Sequence, residues 1–301
     1  MMTTNSCEKC RYFDEVSGFF KQSRKRANKE PLDGGKVPST LRVGIASYLI
    51  DYPCMVQNIL ALYPKSRVDL PDDYKAIYTG HYLANRTGQY STTSVSKRLE
   101  AWMHRQVAAD LKPGSNVSTL EIGAGTLNQL PYEPVCGPYD IVEPFRELYE
   151  AAPGRERLRN IFADTSEART HGPYGRITST AVFEHITDLP VVVAQASLLL
   201  SEGGSLRVAI PNEGTLFWRL GTMVTGHEFK KRYGLNYQVL MRYEHVNTAR
   251  DIEAVLEHFF SSTRCRVFGL CKQLGFYRFY ECRGPRVDEA RRYLNSRGLA
   301  W

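Results

Sequence analysis

Two glycines and a distant glutamate are the residues of this sequence whose spacing first suggests a binding site. Gly123 and Gly125 follow the apolar run Thr119–Ile122, which predicts a buried strand that opens into a tight turn. Glycine has no side chain, so a ligand can approach the backbone closely and contact its N–H groups. Glu143 stands 20 residues after Gly123, at the end of the next predicted strand. A carboxylate there can accept both hydroxyls of a ribose, which predicts a ligand that contains a nucleoside.

The residues after the glycine turn disfavour a dinucleotide as that ligand. A dinucleotide site has a third small residue at the position of Asn128 and needs room for a pyrophosphate. Asn128 is larger, and Pro131 and Pro134 shorten the helix that follows the turn.

Strands and helices alternate from Ser96 onward, which predicts an α/β fold. The predicted strands are Thr119–Ile122, Asp140–Glu143, Asn160–Ala163, Ile177–Val182 and Ser205–Ile210. The predicted amphipathic helices are Phe145–Ala151, Leu189–Leu200 and Ala249–Phe260. This order indicates a doubly wound, mostly parallel sheet that is covered on both faces. Two last apolar runs, Cys265–Leu270 and Phe276–Cys282, predict a terminal antiparallel hairpin at the sheet edge.

The chain divides into three predicted parts. Residues 1–95 form an N-terminal arm and helical lid, because the apolar run Leu41–Leu62 is too short to build a core of its own. Residues 96–283 form the ligand-binding α/β domain, and residues 284–301 form a charged C-terminal helical tail. The lid is expected to cover part of the cofactor or acceptor mouth.

Three segments together resemble the class I S-adenosylmethionine-dependent methyltransferases. They are Leu120–Asn128 with the glycine turn, Thr180–His185, and Leu199–Val208. The resemblance covers about residues 96–283 and implies a Rossmann-like methyltransferase fold, with S-adenosyl-L-methionine as cofactor and S-adenosyl-L-homocysteine as product. The wider pattern, which includes the segment Glu244–Asn247, is similar to bacterial methyltransferases of surface-polysaccharide or secondary-metabolite pathways.

The resemblance also implies which residues bind the cofactor. The implied set is Glu121, Gly123, Ala124, Gly125, Glu143, Pro144, Asp164, Thr165 and Thr180. Glu121 and the glycine turn would hold the methionine end, and Glu143 would hold the ribose. Asp164 would meet the exocyclic amine of adenine, with Thr165 beside it; the alternative for Asp164 is a helix N-cap.

His185, His245 and Glu184 are the candidate catalytic residues. His185 follows the fourth strand, at the edge of the sheet where ligands of such folds bind, and histidine can serve as a general base near neutral pH. The alternative is that it only caps the sheet edge. His245 precedes a predicted helix and either points at the same cleft or lies on the surface. The predicted reaction is O-methylation of a small polar acceptor, a hydroxyl of a sugar or metabolite.

No metal site is predicted. Glu184, His185 and His245 are similar to the ligands of a metal-dependent subset of this family, whose first carboxylate stands three residues before the Glu-His pair. Ala181 occupies that position here, and a hard cation binds weakly with one carboxylate fewer. Cys7 and Cys10 have zinc-like spacing, but the sequence offers no second pair at a usable distance.

Composition limits the remaining function classes. Of 301 residues, 43% are hydrophobic, so the chain can bury a core and is not disordered by composition. The 39 basic and 32 acidic residues give a net charge of +7, which is mild for a nucleic-acid-binding protein. The longest apolar stretch, Val43–Tyr63, is interrupted by polar residues and is not expected to span a membrane. Seven cysteines without a signal peptide are expected to be reduced thiols in a cytoplasmic protein.

Two alternatives to a small-molecule methyltransferase stay open. The basic N-terminal arm favours an RNA methyltransferase, but the fourth strand reads Ser179–Val182 where enzymes that methylate base amines carry an Asn-Pro-Pro-aromatic or Asp-Pro-Pro-aromatic sequence. Loss of catalysis would leave a cofactor-binding scaffold. The expected partner is a small-molecule acceptor rather than nucleic acid, and a second copy of the chain is a further candidate.

Overall fold

The computed structural model describes residues 59–78, 94–134 and 137–301. The described part of the predicted lid is therefore residues 59–78 and the first two residues of a helix that begins at Ser94. The basic arm and the Cys7/Cys10 pair lie outside the described residues. In the described ranges, no helix is both long enough and apolar enough to cross a membrane.

The described chain consists of helices and strands with these bounds. The strands are β1 Thr119–Ile122, β2 Tyr139–Val142, β3 Ile161–Phe162, β4 Tyr174–Thr180, β5 Leu200–Pro211, β6 Phe260–Gly269 and β7 Gly275–Pro285. The α-helices are α1 Ser94–Ala108, α2 Arg146–Tyr149, α3 Leu189–Leu199, α4 Leu216–Tyr233, α5 Tyr237–Glu244, α6 Ala249–Phe259 and α7 Val287–Ser296. Residues 72–78 are also helical, and Phe183–His185 forms a 3₁₀ turn.

The seven strands form one sheet in the order β3-β2-β1-β4-β5-β7-β6. Strands β1 to β5 run parallel, and β7 is antiparallel to both of its neighbours. The predicted fold class, a mostly parallel doubly wound sheet with an antiparallel hairpin at its edge, is confirmed. The strand order reverses between β1 and β4, so the chain leaves these two strands in opposite directions and opens a crevice at their carboxyl ends. The glycine turn follows β1 and His185 follows β4, so both border this crevice.

The main core lies on one face of the sheet, beneath α3, α6 and α7. Ile177, Leu206 and Val208 of the central strands are fully buried there. Val255 from α6 and Leu294 from α7 pack into the same cluster. The predicted charged tail is therefore joined to the core through the apolar side of α7.

The opposite face of the sheet, which α1 covers, buries charged side chains next to a small apolar cluster of Met103, Val107, Ala209 and Phe279. Arg176 of β4 is 1% exposed, and its guanidinium donates two hydrogen bonds to the Glu133 carboxylate at 2.9 and 3.0 Å. It also donates to the Asp110 carboxylate and, at 2.6 Å, to the backbone carbonyl of Val107 at the end of α1. A buried cation is tolerated only when its hydrogen bonds are satisfied in this way. Arg176 thus joins the sheet to the end of α1 and to the segment that carries Glu133.

Two local differences from the prediction have physical causes. The fourth strand ends at Thr180 and not at Val182, because Ala181 has a φ of 54° and turns the chain out of the sheet. The stretch before α6 contains two further helices, α4 and α5, which we did not predict because its aromatic residues are scattered along the sequence. Helix α5 begins where the Asn236 side chain accepts the Gln238 N–H.

Candidate cofactor and acceptor site

A cavity of about 620 Å³ lies at the carboxyl ends of β1, β2 and β4. Its walls come from the turns after these strands, from residues 163–165 after β3, and from the described N-terminal segment. Six residues that the sequence predicted for the site line it: Gly123, Glu143, Pro144, Asp164, Thr165 and His185. Its volume suits a ligand of nucleoside size.

The glycine turn is held close to the loop that follows β4. Gly123 has a φ of +74°, and a Cβ atom there would lie 2.5 Å from both methyl groups of Val182. Any other residue at this position would meet backbone strain and a steric clash. Gly125, with a φ of 50°, donates its N–H to Oε2 of Glu143 at 2.8 Å. The turn after β1 is therefore tied directly to the acid that ends β2.

The Glu143 carboxylate is fixed in place by the backbone around it. The residue is 6% exposed, and Oε1 accepts the N–H of Phe145 at 3.1 Å while Oε2 accepts that of Gly125. Each carboxylate oxygen has two acceptor positions, so two backbone donors leave capacity for two more hydrogen bonds. An ordered carboxylate on the cavity wall is thus prepared to accept two hydroxyl groups.

Asp164 and Thr165 line the cavity beside Glu143, because they follow β3, the neighbour of β2 in the sheet. Asp164 Oδ1 accepts the Ser166 N–H at 2.7 Å, a local turn that orders the loop after β3. Thr165 is only 3% exposed. Asp164 thus supports its own loop and lines the cavity as well.

Six other predicted site residues are not among the described residues that line the cavity: Glu121, Ala124, Gly125, Thr180, Glu184 and His245. The Glu121 carboxylate lies below the glycine turn and accepts the hydroxyl of Tyr139 at 2.8 Å. The Thr180 hydroxyl points to Gln129 at 3.4 Å. Burial raises the pKa of Glu121 to about 8, an effect that the Tyr139 hydrogen bond only partly offsets.

Replacing Glu121 with glutamine is expected to flatten the pH dependence of stability. Folded Glu121 keeps its proton up to about pH 8, whereas the unfolded side chain loses it near its ordinary pKa of about 4.5. The folded state binds more protons in this window, so the wild-type free energy of unfolding falls with rising pH, by up to about 1.4 kcal/mol per pH unit. Glutamine keeps an acceptor for Tyr139 but cannot ionise. Urea unfolding of both proteins at pH 5, 6.5 and 8 tests this, and parallel curves would contradict it.

The His185 side chain is held by a hydrogen bond that defines its tautomer. Its Nδ1 lies 3.0 Å from the backbone carbonyl oxygen of Glu244. A carbonyl oxygen only accepts hydrogen bonds, so Nδ1 carries the hydrogen and Nε2 carries the lone pair. Nε2 lies 3.8 Å from Oε1 of Glu184, which is almost fully buried. The imidazole therefore has a fixed tautomer at the wall of the cavity.

His245 lies against His185 and pairs with a carboxylate. The two ring centroids are 4.7 Å apart with perpendicular planes, and Nδ1 of His245 lies 2.5 Å from Oε2 of Glu213. Burial by itself lowers the pKa of His245, but the hydrogen bond and charge of Glu213, with the charges of Glu184 and Glu244, raise it above the ordinary value. His245 thus favours the protonated form, which donates hydrogen bonds and cannot accept a proton.

Aromatic rings surround the histidine pair. The Trp218 ring stacks on His245 at a centroid distance of 5.5 Å, and Tyr243 lines the cavity beside His185. Burial, with the carboxylates of Glu100 and Glu184, raises the pKa of Tyr277 to about 12, so this phenol stays neutral and can donate a hydrogen bond. This end of the site offers apolar ring faces next to a few polar groups.

One group of side chains has ligand atoms close enough to share a metal ion. Atoms of His185, Glu244 and His245 lie within 4.8 Å of one another. The sequence argues against a metal because Ala181 stands where the related enzymes have a carboxylate. In this group, the carboxylate comes instead from Glu244. A nitrogen from each histidine and one carboxylate oxygen form a ligand set that suits a divalent transition metal.

Sequence reasoning missed Arg67 and Tyr78, which line the cavity from the N-terminal segment. Their stretch of sequence has no clean helical or strand period, so no local pattern placed either residue near the sheet. Glu244 was noted only as the neighbour of His245, yet it also lines the cavity.

Comparisons with solved structures find methyltransferases among the similar folds. The CurJ carbon methyltransferase is 19% identical over 71% of this chain, with a TM-score of 0.47, and the match spans 61% of the CurJ chain. The N-methyltransferase NodS of Bradyrhizobium japonicum is 14% identical over 65% of this chain and 99% of its own, with a TM-score of 0.42. An O-methyltransferase family protein of Burkholderia thailandensis is 13% identical over 76% of this chain and 67% of its own, with a TM-score of 0.45.

The family itself is assigned by a sequence model. No curated protein is similar enough to count as a relative. A family model described as a methyltransferase domain matches residues 92–260, which include the glycine turn, Glu143 and both histidines. The cofactor of this family is S-adenosylmethionine. The chain therefore belongs to the methyltransferase domain family and is an S-adenosylmethionine-dependent methyltransferase.

Proposed function

We propose that this protein transfers the methyl group of S-adenosylmethionine to a hydroxyl group of a small polar acceptor, with His185 as general base. The observation that carries the proposal is the His185 imidazole at the cavity wall, whose Nδ1 hydrogen is directed to the Glu244 carbonyl. Nε2 is then the nitrogen that can take a proton. A hydroxyl needs such a base because it must lose its proton as the new bond forms.

In this proposal the cofactor occupies the part of the cavity between the turns after β1, β2 and β3. Glu143 accepts the two ribose hydroxyls, since its carboxylate is ordered and has two acceptor positions left. Adenine lies toward Asp164 and Thr165. The methionine end lies over the glycine turn, and the Glu121 carboxylate is held inside the sheet by the Tyr139 hydroxyl.

Replacing Glu143 with alanine is expected to weaken binding of S-adenosylhomocysteine by about 1–3 kcal/mol, because two hydrogen bonds to a carboxylate are lost. Isothermal titration calorimetry measures the change, and a melting curve shows whether the variant is folded. Glu156→Ala is the matched control, since it removes the same charge from an exposed site. Equal affinity in the Glu143 variant and in the wild type would contradict the ribose assignment.

The reaction is a direct displacement at the methyl carbon. The acceptor oxygen forms a bond to this carbon as the bond from carbon to sulfur breaks, and the hydroxyl proton passes to Nε2 of His185. S-adenosylhomocysteine leaves with the electron pair on sulfur. The protein contributes alignment and exclusion of water, together with the base. Protonated His245, held by Glu213, orients the acceptor by donating a hydrogen bond.

A metal-dependent form of the same reaction is the second candidate. It is favoured by the convergence of His185, Glu244 and His245, whose ligand atoms lie within 4.8 Å of one another. In that case the metal, and not an imidazole, would lower the pKa of the acceptor hydroxyl. Chelation separates the two candidates, because only the metal-dependent reaction needs an ion.

The test of the proposed function is methyl transfer from radiolabelled S-adenosylmethionine to a defined acceptor panel. The panel contains methyl glycosides and hydroxybenzoates, each paired with the analogue that has an amine in place of the hydroxyl. We expect label in the hydroxyl compounds, with and without EDTA. Label only in the amines would contradict O-methylation, and loss of transfer with EDTA would favour the metal-dependent form.

A further inference from the structure

Arg67 joins two segments of the acceptor end that lie far from it in the sequence. Its Nη1 donates to the carbonyl oxygens of Tyr243 at 2.7 Å and Glu244 at 3.0 Å, and its Nη2 donates to that of His185 at 2.7 Å. Its guanidinium also lies 5.4 Å from the centroid of the Tyr243 ring. One side chain therefore connects the end of α5 to the turn after β4.

The Glu244 carbonyl receives hydrogen bonds from two donors. One is Nη1 of Arg67, and the other is Nδ1 of His185 at 3.0 Å. The carbonyl oxygen determines which nitrogen of His185 carries the hydrogen, so its position sets the tautomer of the imidazole and the direction of Nε2. Arg67 holds this oxygen and the His185 backbone together.

An arginine is well suited to this task. Its guanidinium is planar, and its N–H groups have a fixed geometry, so it can hold three carbonyl oxygens in a constant relation. A lysine ammonium is a compact charge on a flexible stem and does not fix three acceptors in one plane.

Other residues of the same segment attach it to the fold at neighbouring points. Lys65 Nζ donates to the carbonyl of Val246 and to Asp251, and the Tyr63 hydroxyl donates to Asn247. These contacts secure the segment without reaching His185. Removing the Arg67 guanidinium should therefore disturb the histidine more than it disturbs the docking of the segment.

We propose that Arg67 is a positioning residue for methyl transfer, which keeps Nε2 of His185 directed at the acceptor by holding the carbonyl oxygens of His185 and Glu244. The inference rests on the proposed role of His185 as the base. Arg67 takes no proton in the reaction.

The test reads the tautomer of His185 directly and needs no acceptor. The full chain, labelled with ¹⁵N-histidine, is studied near pH 9, well above the ordinary histidine pKa of about 6.5, with and without S-adenosylhomocysteine. Long-range ¹H–¹⁵N spectra show which ring nitrogen carries the hydrogen, and the signals lost in His185→Asn identify His185. The variants are Arg67→Met and Arg67→Lys. The control is Lys75→Met, which removes a positive charge of the same segment where it pairs with Asp72 on the surface.

The wild type and the Lys75 variant should show His185 almost entirely with hydrogen on Nδ1. In Arg67→Met the ratio of the Nδ1–H form to the Nε2–H form should fall by about tenfold, as expected when a hydrogen bond of ordinary strength is weakened. Arg67→Lys should lie between. An unchanged ratio in a folded Arg67→Met protein would overturn the proposal. If that variant does not fold, an unchanged ratio in Arg67→Lys would overturn it too.

Failure of this inference is distinct from failure of the proposed function. The tautomer ratio reports only on Arg67 and its two carbonyl partners, whether or not His185 takes a proton during turnover. The role of His185 is decided separately by the turnover of its own variant. A shift of the tautomer in Arg67→Met together with full activity of His185→Asn would support the contact and reject the base.

Discussion

Turnover is expected to fall by about 100- to 10,000-fold when His185 is replaced with asparagine, while affinity for S-adenosylhomocysteine stays the same. Asparagine keeps a side-chain N–H that can donate to the Glu244 carbonyl, but it has no nitrogen that can take a proton. The variant thus removes the base and preserves the shape of the cleft. The measurement is single-turnover methyl transfer at saturating S-adenosylmethionine, with the hydroxyl acceptor that the panel identifies.

Two further histidine variants make this result specific. His227 is exposed on α4, so His227→Asn should leave the rate unchanged. His245→Asn should lower the rate less than His185→Asn if His245 only orients the acceptor. An equally large loss, abolished activity with EDTA, or both would favour a shared metal. A His185→Asn rate within about threefold of the wild type would leave no room for a general base.

The second large effect concerns stability and involves Arg176, on the face of the sheet that α1 covers. Replacing Arg176 with methionine is expected to lower the free energy of unfolding by about 3–5 kcal/mol. Glu133 has a side chain only 1% exposed and would lose its main cationic partner. The Val107 carbonyl at the end of α1 would lose a hydrogen bond as well. Urea denaturation monitored by circular dichroism measures the change.

A double variant and an exposed ion pair provide the controls. In Arg176→Met with Glu133→Gln, the buried charge is removed together with its partner, so part of the lost stability should return. Arg146 pairs with Glu150 on the surface, with side chains 76% and 50% exposed, and Arg146→Met should lower the free energy of unfolding far less than Arg176→Met does. Equal losses for Arg176→Met and Arg146→Met would contradict the expected contribution of the buried Arg176–Glu133 pair to stability.

The sequence by itself determined the part of the cavity around the glycine turn and Glu143, where we propose that the cofactor binds. A strand, a glycine turn and an acid at the end of the next strand are contiguous signals, and each depends on local backbone requirements. Parallel neighbouring strands bring their carboxyl ends to one edge, so Gly123 and Glu143 had to meet there. The hydrogen bond from the Gly125 N–H to Glu143 forms because the two strand ends are neighbours.

Some features of that part of the cavity still depended on side-chain direction. Successive side chains of a strand point to opposite faces of the sheet. A shift of one residue along the strand therefore decides whether a side chain faces the cavity or is buried elsewhere. Glu121, inside β1, turns to Tyr139 beneath the turn and away from the cavity. Its spacing from the glycines alone did not distinguish these two environments.

Only the tertiary structure decided the part of the site around His185, where we propose that the acceptor binds. Arg67 and His185 are 118 residues apart in the sequence, and His245 and Glu213 are 32 residues apart. The segment between Glu213 and His245 contains helices α4 and α5, which we did not predict from the sequence. The burial of Arg176 beneath α1 could not be predicted for the same reason. In the sequence it is a single charged residue within a strand, and only the fold brings Glu133 next to it. Sequence patterns report local backbone preference and burial, whereas these contacts arise from how separate segments pack, which short-range physics does not specify.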